Sequence, residues 1–174
     1  MPGLIHIYCG ENKGKTTAAV GLAVRAAGAG KKVLFVQFLK KGDSAELNIL
    51  KNIPSLETSV CEKPYGFIWT MDEAEKARAQ ADFTLLFDEA AQKASREQYD
   101  LLVLDEILGA VSCGMVPEEK LLRFLKEKPA ELEIVLTGRD PSDGLMELAD
   151  YITEMKKIKH PFDKGIAARY GIEY

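Results

Sequence analysis

Residues 9–17 read CGENKGKTT and nearly match G-x-x-x-x-G-K-[ST], the pattern of phosphate-binding loops. Cys9 stands where that pattern has its first glycine. We therefore expect Gly10 to supply the conformational freedom that the turn needs, one position later. We also expect Asn12 to help keep the loop's shape, because asparagine adopts the left-handed conformation more readily than most residues.

The segments on both sides of this loop fit a phosphate site. An apolar run at 4–9 precedes the loop and is typical of a buried strand, and an alanine-rich helical pattern follows at 16–29. In that arrangement backbone N–H groups and the helix N-terminus converge on phosphate oxygens. Lys15 would supply positive charge to the phosphates, and the Thr16 hydroxyl would contact Mg²⁺. The residues predicted to bind the nucleotide here are Gly10, Glu11, Asn12, Lys13, Gly14, Lys15, Thr16 and Thr17.

Glu11 is the unfavourable member of this set, because a carboxylate beside phosphates repels them unless it faces solvent. We interpret it as a solvated charge at the tip of the loop.

Strand-like and helix-like patterns alternate along the rest of the chain. Short apolar runs that predict buried strands lie at 4–9, 33–38, 101–104, 134–137 and 151–155. A long helical pattern at 72–98 places Phe83, Phe87, Ala90 and Ala94 on one face. Alternation of this kind predicts an α/β fold with a mostly parallel central sheet and helices on both faces. The last fifteen residues have no clear period and cannot be placed from pattern alone.

Residues 101–106 read LLVLDE, an apolar run that ends in two carboxylates. In nucleotide-binding proteins a carboxylate at this end of a strand holds the Mg²⁺ shell, and open α/β sheets bind ligands at that edge. Asp105 and Glu106 are therefore predicted, with Thr16, as metal ligands. The alternative is that Asp105 caps the next helix.

The run 134–137 leads into another turn, with the sequence Thr-Gly-Arg-Asp at 137–140. Arg139 follows a predicted strand, so it would lie at the same edge and could neutralise phosphate charge. A surface ion pair between Arg139 and Asp140 is the alternative. Position alone leaves both interpretations open.

Composition restricts the remaining classes of function. The 174 residues fit one domain, 1–174, and 47% are hydrophobic and 29% charged. No apolar run approaches the length of a membrane helix, and the N-terminus lacks the features of a secretory signal, so we expect a cytoplasmic protein. A net charge of -4 argues against a nucleic-acid partner. Two histidines leave little material for imidazole catalysis, and three dispersed cysteines predict free thiols.

Several motifs together carry a more specific signal. They are the loop at 10–19, VQFLKK at 36–41, GFIWT at 66–70, VLDE at 103–106, TGR at 137–139 and HPFDKGIAARYGIEY at 160–174. With these motifs the sequence resembles the ATP:corrinoid adenosyltransferases of the P-loop type over residues 4–174. Their loop usually has a non-glycine residue before G-N-G-K-G-K-[ST]-T, so Cys9 agrees with the family.

The resemblance implies a single-domain P-loop NTPase fold, RecA-like, and a defined reaction. The family transfers the adenosyl group of ATP to Co(I) of a corrinoid, either cob(I)alamin or cob(I)yrinic acid a,c-diamide, and releases triphosphate. By resemblance, Lys15, Phe67 and Trp69 are catalytic, and the two aromatic residues press against the corrinoid's lower face and exclude its axial ligand. Mg²⁺, a reduced flavin or flavodoxin-like electron donor and a homodimeric state are implied in the same way.

Two other classes of function stay open. The phosphate loop and VLDE alone fit a P-loop ATPase or a small-molecule kinase, and a nucleotide-dependent regulatory module without turnover would carry the same loop. From sequence alone, Phe67 and Trp69 would be core aromatics, because most aromatic residues are buried for packing. The resemblance reverses that preference.

Overall fold

The computed structural model describes residues 2–40, 42–61, 63, 65–66 and 68–173. The strands are β1 (Ile5–Cys9), β2 (Val33–Gln37), β3 (Leu56–Val60), β4 (Leu101–Asp105), β5 (Glu133–Thr137) and β6 (Tyr151–Glu154). The helices are α1 (Lys15–Gly28), α2 (Leu47–Leu50), α3 (Glu73–Arg96), α4 (Ile107–Ser112), α5 (Glu118–Glu127) and α6 (Asp143–Leu148). Two 3₁₀ turns cover Ile68–Thr70 and Pro161–Lys164.

The strands form one sheet in the order β3-β2-β4-β5-β1-β6, and all five pairings are parallel. Strands β2 and β4 are buried along their whole length, which explains why their sequences are almost continuously apolar. Parallel strands place their carboxyl ends at one edge of the sheet. The loops that follow β1, β2, β4 and β5 therefore meet there.

Two apolar cores lie on opposite faces of the sheet. On β4, Leu101 and Val103 belong to the core that includes the alanine face of α1. Leu102 and Leu104 belong to the other core, which includes Phe83 and its neighbours on α3. This alternation follows from the two-residue period of a strand. The sheet is therefore covered on both sides, as the sequence pattern predicted.

The five predicted strands and both long helices are confirmed, and the sheet is parallel throughout. Strand β3 was missed because its sequence, LETSV, mixes polar and apolar residues at an edge of the sheet. Helices α2, α4, α5 and α6 were also not predicted. Of these, α2, α4 and α6 are too short to show a period. Cys9, Cys61 and Cys113 are free thiols, as expected. No helix in the described part of the chain is long and apolar enough to cross a membrane.

Candidate active site

The loop between β1 and α1 makes its turn at Gly10. The φ angle of Gly10 is 110°, and a Cβ atom there would lie 2.7 Å from the carbonyl oxygen of Met155. Only glycine fits that position. The prediction that the turn moves one residue past Cys9 is therefore confirmed.

The expectation for Asn12 is wrong, because Asn12 is not among the residues with a positive φ. It contributes through its side chain, whose Nδ2 donates to the carbonyl oxygen of Lys156 at 3.5 Å. Its Oδ1 is buried and accepts no hydrogen bond from the described residues. Glu11 is exposed, as interpreted, although it lies at the rim of the cavity described below.

Lys15 lies inside the phosphate loop and is only 8% exposed. Its Nζ donates to the carbonyl oxygen of Gly10 at 2.7 Å and to that of Asn12 at 2.9 Å. Burial lowers the pKa of Lys15, and the negative charge of Glu106 opposes that shift. The ammonium group is thus held in a poorly solvated position at the start of α1, where a phosphate would be strongly stabilised by it.

Asp105 ends β4 and is fully buried. Its Oδ1 accepts from Thr137 Oγ1 at 2.7 Å, and its Oδ2 accepts from Gln37 Nε2 at 3.1 Å and Lys40 Nζ at 3.3 Å. The N-cap residue of helix α4 is Glu106, and no side chain forms a capping hydrogen bond at that end of the helix. The alternative role of Asp105 as a helix cap is therefore excluded.

Glu106 turns its carboxylate into the cavity. It has a left-handed backbone, with φ 62°, which is uncommon for a residue other than glycine. Thr137 holds this conformation, since the Glu106 N–H donates to Thr137 Oγ1 at 2.8 Å. Burial raises the pKa of Glu106, and the charge of Asp105 raises it further. Lys40, Lys15 and Arg139 act in the opposite direction.

Gly138 allows the turn after β5 to pack tightly against α4. A Cβ atom at Gly138 would lie 2.6 Å from the Cβ of Leu108, and its φ is 146°. This close approach places Arg139 at the cavity wall, where its charge acts on Glu106 and Lys15. Arg139 and Asp140, both in the described part of the chain, form no ion pair. The ion-pair alternative is therefore not observed, and the role of Arg139 toward phosphate stays a prediction.

These side chains surround one cavity of about 800 Å³, a volume typical of cofactor sites. Its lining includes the predicted residues Glu11, Asn12, Lys13, Gly14, Lys15, Thr16, Thr17, Glu106 and Arg139. Gly10 and Asp105 lie behind the wall, since Lys15 bonds to the first and Lys40 to the second.

Sequence reasoning missed a polar cluster at the end of β2. Lys40 Nζ lies between Asp105 Oδ2 and Glu46 Oε1, at 3.3 Å and 3.5 Å. Gln37 Nε2 joins the same two carboxylates. The signal in the sequence was Gln37 itself, a polar residue at the end of an otherwise apolar strand. The cluster keeps Asp105 paired although it is buried, as a buried charge requires.

The C-terminal segment forms one wall of the cavity. Lys13 Nζ donates to the carbonyl oxygen of Ile172 at 2.6 Å, and Met155 packs against Gly10. Phe162 and Ile172 line the cavity from this side. No pattern in the sequence predicted this contact, because the segment is held by single contacts to a distant loop and has no periodic apolar face.

Of the two predicted aromatic residues, the structure describes Trp69, which does not line this cavity. Phe67 lies outside the described residues. Trp69 is in the 3₁₀ turn between β3 and α3 and is 79% exposed, so the alternative that it is a core residue is wrong. Strand β3 is four strands away from β1, or about 19 Å at the usual spacing. Trp69 follows this distant strand and does not line the cavity at the phosphate loop.

The donors at the cavity fit a partly hydrated Mg²⁺ better than an enclosed metal. Among the described residues, no group of three or more His, Cys, Asp or Glu side chains could hold a metal ion. Magnesium usually takes one or two carboxylates and completes its shell with phosphates and waters. Thr16 and Glu106 reach the cavity, whereas both oxygens of Asp105 already accept protein hydrogen bonds. The ligand set Thr16, Asp105 and Glu106 stays a prediction.

A phosphate loop, an acidic pair and an arginine at one edge of a parallel sheet define a nucleotide-binding α/β protein of the P-loop class. The chain belongs to the family described as ATP:corrinoid adenosyltransferase BtuR/CobO/CobP, which matches residues 1–174. The corrinoid adenosyltransferase of Escherichia coli K12 is 35% identical over 173 residues, covering 99% of this chain and 86% of the relative. Corrinoid adenosyltransferase CobA of Salmonella typhimurium LT2 is 34% identical over 175 residues, covering 99% and 86%.

Solved structures support the fold. The EccC fragment with ATPases 2 and 3 from Thermomonospora curvata superimposes with a TM-score of 0.53 at 15% identity. The match covers 87% of this chain and 30% of that one. At this level of identity the similarity shows a shared P-loop ATPase fold alone.

Proposed function

We propose that the protein transfers the 5′-deoxyadenosyl group of ATP to the Co(I) of a corrinoid and releases triphosphate. The observation that carries this proposal is the charged cavity of about 800 Å³ at the phosphate loop, in a chain that matches the corrinoid adenosyltransferase family along its whole length. The cavity combines Lys15, Arg139 and Glu106 within reach of the loop. Such a site suits a polyphosphate whose charge increases during the reaction.

The proposed reaction makes one bond and breaks one. The electron pair of Co(I) attacks C5′ of the ribose and forms a cobalt–carbon bond. The bond between C5′ and its oxygen breaks, and its electron pair leaves with the triphosphate. No proton has to move, which agrees with the small number of histidines. The protein's task is to hold C5′ in line with cobalt and to stabilise charge on the leaving group.

Lys15, Arg139 and Glu106, which line the cavity, each have a part in this scheme. Lys15 and the loop N–H groups bind the triphosphate at the start of α1. Arg139 adds a second positive charge from the turn after β5. Bound Mg²⁺ would neutralise further charge on the leaving group. Thr16 and Glu106 would hold the ion, and Asp105, fixed by Thr137, supports them from behind.

The corrinoid end of the site is proposed from Phe67 and Trp69. The exposure of Trp69 supports a ligand-facing role, because a packing role would bury the ring. If the two rings exclude the axial ligand, Co(II) becomes easier to reduce, and a reduced flavin or flavodoxin-like protein would supply the electron. We propose both cob(I)alamin and cob(I)yrinic acid a,c-diamide as acceptors.

The setting of this reaction is also a proposal. We place the protein in the cytoplasm, as a homodimer. Tyr151 and Ile152 support the dimer, since both are about half exposed on β6, an edge strand of the sheet.

An anaerobic assay tests the function. The protein is mixed with Mg-ATP and a corrinoid that has been chemically reduced to Co(I), and absorbance spectra are recorded before and after illumination. We expect ATP-dependent formation of a light-sensitive cobalt–carbon product. Consumption of ATP at the same rate without corrinoid, and no such product with it, would contradict the proposal and favour an ATPase.

A further inference from the structure

The segment between β3 and α3 is tied to the side of α3 by polar contacts to one carboxylate. Lys63 Nζ donates to Asp82 Oδ1 at 2.9 Å and to Asp82 Oδ2 at 2.8 Å. The Tyr65 hydroxyl donates to Asp82 Oδ2 in a short hydrogen bond. Asp82 is only 22% exposed, whereas Lys63 is 66% exposed. Tyr65 is half-buried, so its bond to Asp82 is better protected from solvent than the lysine contact.

The ring of Tyr65 is fixed as well as its hydroxyl. Its centroid lies 5.8 Å from that of Phe83, and Phe83 lies 6.4 Å from Phe38 in the core beneath the helix. Aromatic pairs at such separations are stabilising. Tyr65 is thus held at both ends, by packing on one side and by Asp82 on the other.

The other end of the segment is fixed at the start of α3. Asp72 Oδ1 accepts from the Glu75 N–H at 2.7 Å, and Glu75 Oε2 accepts from the Asp72 N–H at 3.1 Å. This capping box defines the first turn of the helix. Trp69 therefore lies on a short stretch between two anchored residues, Tyr65 and Asp72, although the ring itself is 79% exposed.

We propose that Asp82, acting through Tyr65 and Lys63, is a positioning residue that preorganises Trp69 and the other described residues between Tyr65 and Asp72 so that Trp69 meets the corrinoid. The role toward the corrinoid rests on the proposed function. The Asp82 contacts themselves do not depend on it. Holding a loop in its binding conformation reduces the ordering cost of binding. The Asp82 hydrogen bond raises the pKa of Tyr65 to about 12. The pKa of Asp82 is lowered, mostly by its hydrogen bond from Lys63 and next by that from Tyr65. The hydroxyl donor and the carboxylate acceptor therefore persist across neutral pH.

The chain provides its own reporter, because Trp69 is its single tryptophan. We compare fluorescence anisotropy decay and acrylamide quenching of Trp69 in Asp82→Ala, Tyr65→Phe and wild type, without substrate. Asp88→Ala is the matched control, since Asp88 is also on α3 and forms an ion pair with Lys120 at 2.6 Å. We expect faster local motion and greater quenching in the first two variants and no change in the control.

Kinetics then test the link to the corrinoid. With Co(II) corrinoid and a reductant, Asp82→Ala and Tyr65→Phe should raise the KM for corrinoid about threefold to tenfold, the worth of one hydrogen bond. The KM for ATP should not change, which separates positioning from general destabilisation. Tyr65→Phe keeps the packed ring and serves as the test if Asp82→Ala folds poorly.

Two results would overturn the proposal: Trp69 motion unaltered in both variants, or altered motion with an unchanged KM for corrinoid. The fluorescence comparison needs no turnover. A wild-type protein that transfers no adenosyl group would therefore contradict the proposed function. The fluorescence result, that Asp82 restricts the motion of Trp69, would still stand.

Discussion

The phosphate loop after β1 and the segment between β3 and α3 lie at the same edge of the sheet but are built in opposite ways. Lys15 is 8% exposed and bonds to carbonyl oxygens within five residues of its own position. Trp69 is 79% exposed, and its segment is held by Asp82, from another element. Burial strengthens a charge–phosphate interaction, whereas a large planar ligand needs an open apolar surface. The comparison separates a local, buried nucleotide end from an exposed segment, the proposed corrinoid end, that depends on tertiary contacts.

Lys15→Ala should break the nucleotide end with the largest effect. Losing a charge-assisted bond of about 1.5 to 3 kcal/mol predicts a loss of about tenfold to hundredfold in the rate of transfer. Corrinoid binding should be little changed, because Trp69, at the proposed corrinoid end, does not line the cavity that holds Lys15. Steady-state kinetics and corrinoid titration measure the two effects. Lys31→Ala, an exposed lysine beyond α1, is the control, and equal rates in the two variants would contradict the assignment.

Glu106→Gln should reduce transfer by about tenfold, because the neutral amide is a poorer ligand for a hydrated cation. The acidic limb of the wild-type rate profile should be absent or displaced in the variant. A rate–pH profile at saturating Mg²⁺ measures this. An acidic limb shared by both proteins would assign that limb to another group.

The same substitution should have the opposite effect on stability. Burial and the Asp105 charge raise the pKa of Glu106, so the folded state binds this proton more tightly than the unfolded chain does. The free energy of unfolding therefore falls as pH rises through the unfolded and folded pKa values. At pH 7 and without ligand, Glu106→Gln should melt above wild type, and the difference should vanish below the ordinary glutamate pKa of about 4.3. A variant that melts below wild type at pH 7 would contradict the buried position of Glu106.

Thr137→Val removes only the hydroxyl group that holds Asp105 and Glu106 in place. Thr137 is fully buried and bonds to both Asp105 and the Glu106 N–H. Each of the two groups left unsatisfied should cost about 1 to 3 kcal/mol in the free energy of unfolding. Denaturant unfolding measures this, with Thr84→Val, at a partly buried threonine on α3, as a comparison. An unchanged midpoint would mean that Thr137 does not hold the pair.

Phe67→Ala and Trp69→Ala should have the smallest effect when Co(I) corrinoid is supplied, because Co(I) does not retain the axial ligand strongly. With Co(II) and reduced flavin, both variants should fail. The transfer rate is measured for each variant from Co(I) corrinoid and from Co(II) corrinoid, together with its melting temperature. Equal losses in the two assays that follow a lowered melting temperature would show a packing role instead.

The sequence predicted which segments meet beside the phosphate loop, and the reason is physical. The loop, the acidic pair and Arg139 each follow an apolar strand, and a parallel sheet brings such ends together whatever the remaining sequence. Gln37, a polar residue at the end of an apolar strand, was a signal for the supporting cluster, but its contacts with Lys40 and Glu46 depend on how the loop after β2 folds back and could not be predicted. The C-terminal wall and the Asp82 contacts also join residues that are far apart in sequence, and no local period records them.

The most direct test of the central claim is the identity of the phosphate product. The protein is incubated anaerobically with Mg-ATP and Co(I) corrinoid, and the products are separated by ion-exchange chromatography. We expect triphosphate in a one-to-one ratio with adenosylated corrinoid, and none without corrinoid. Stoichiometric ADP and phosphate would contradict it and assign the cavity to phosphoryl transfer.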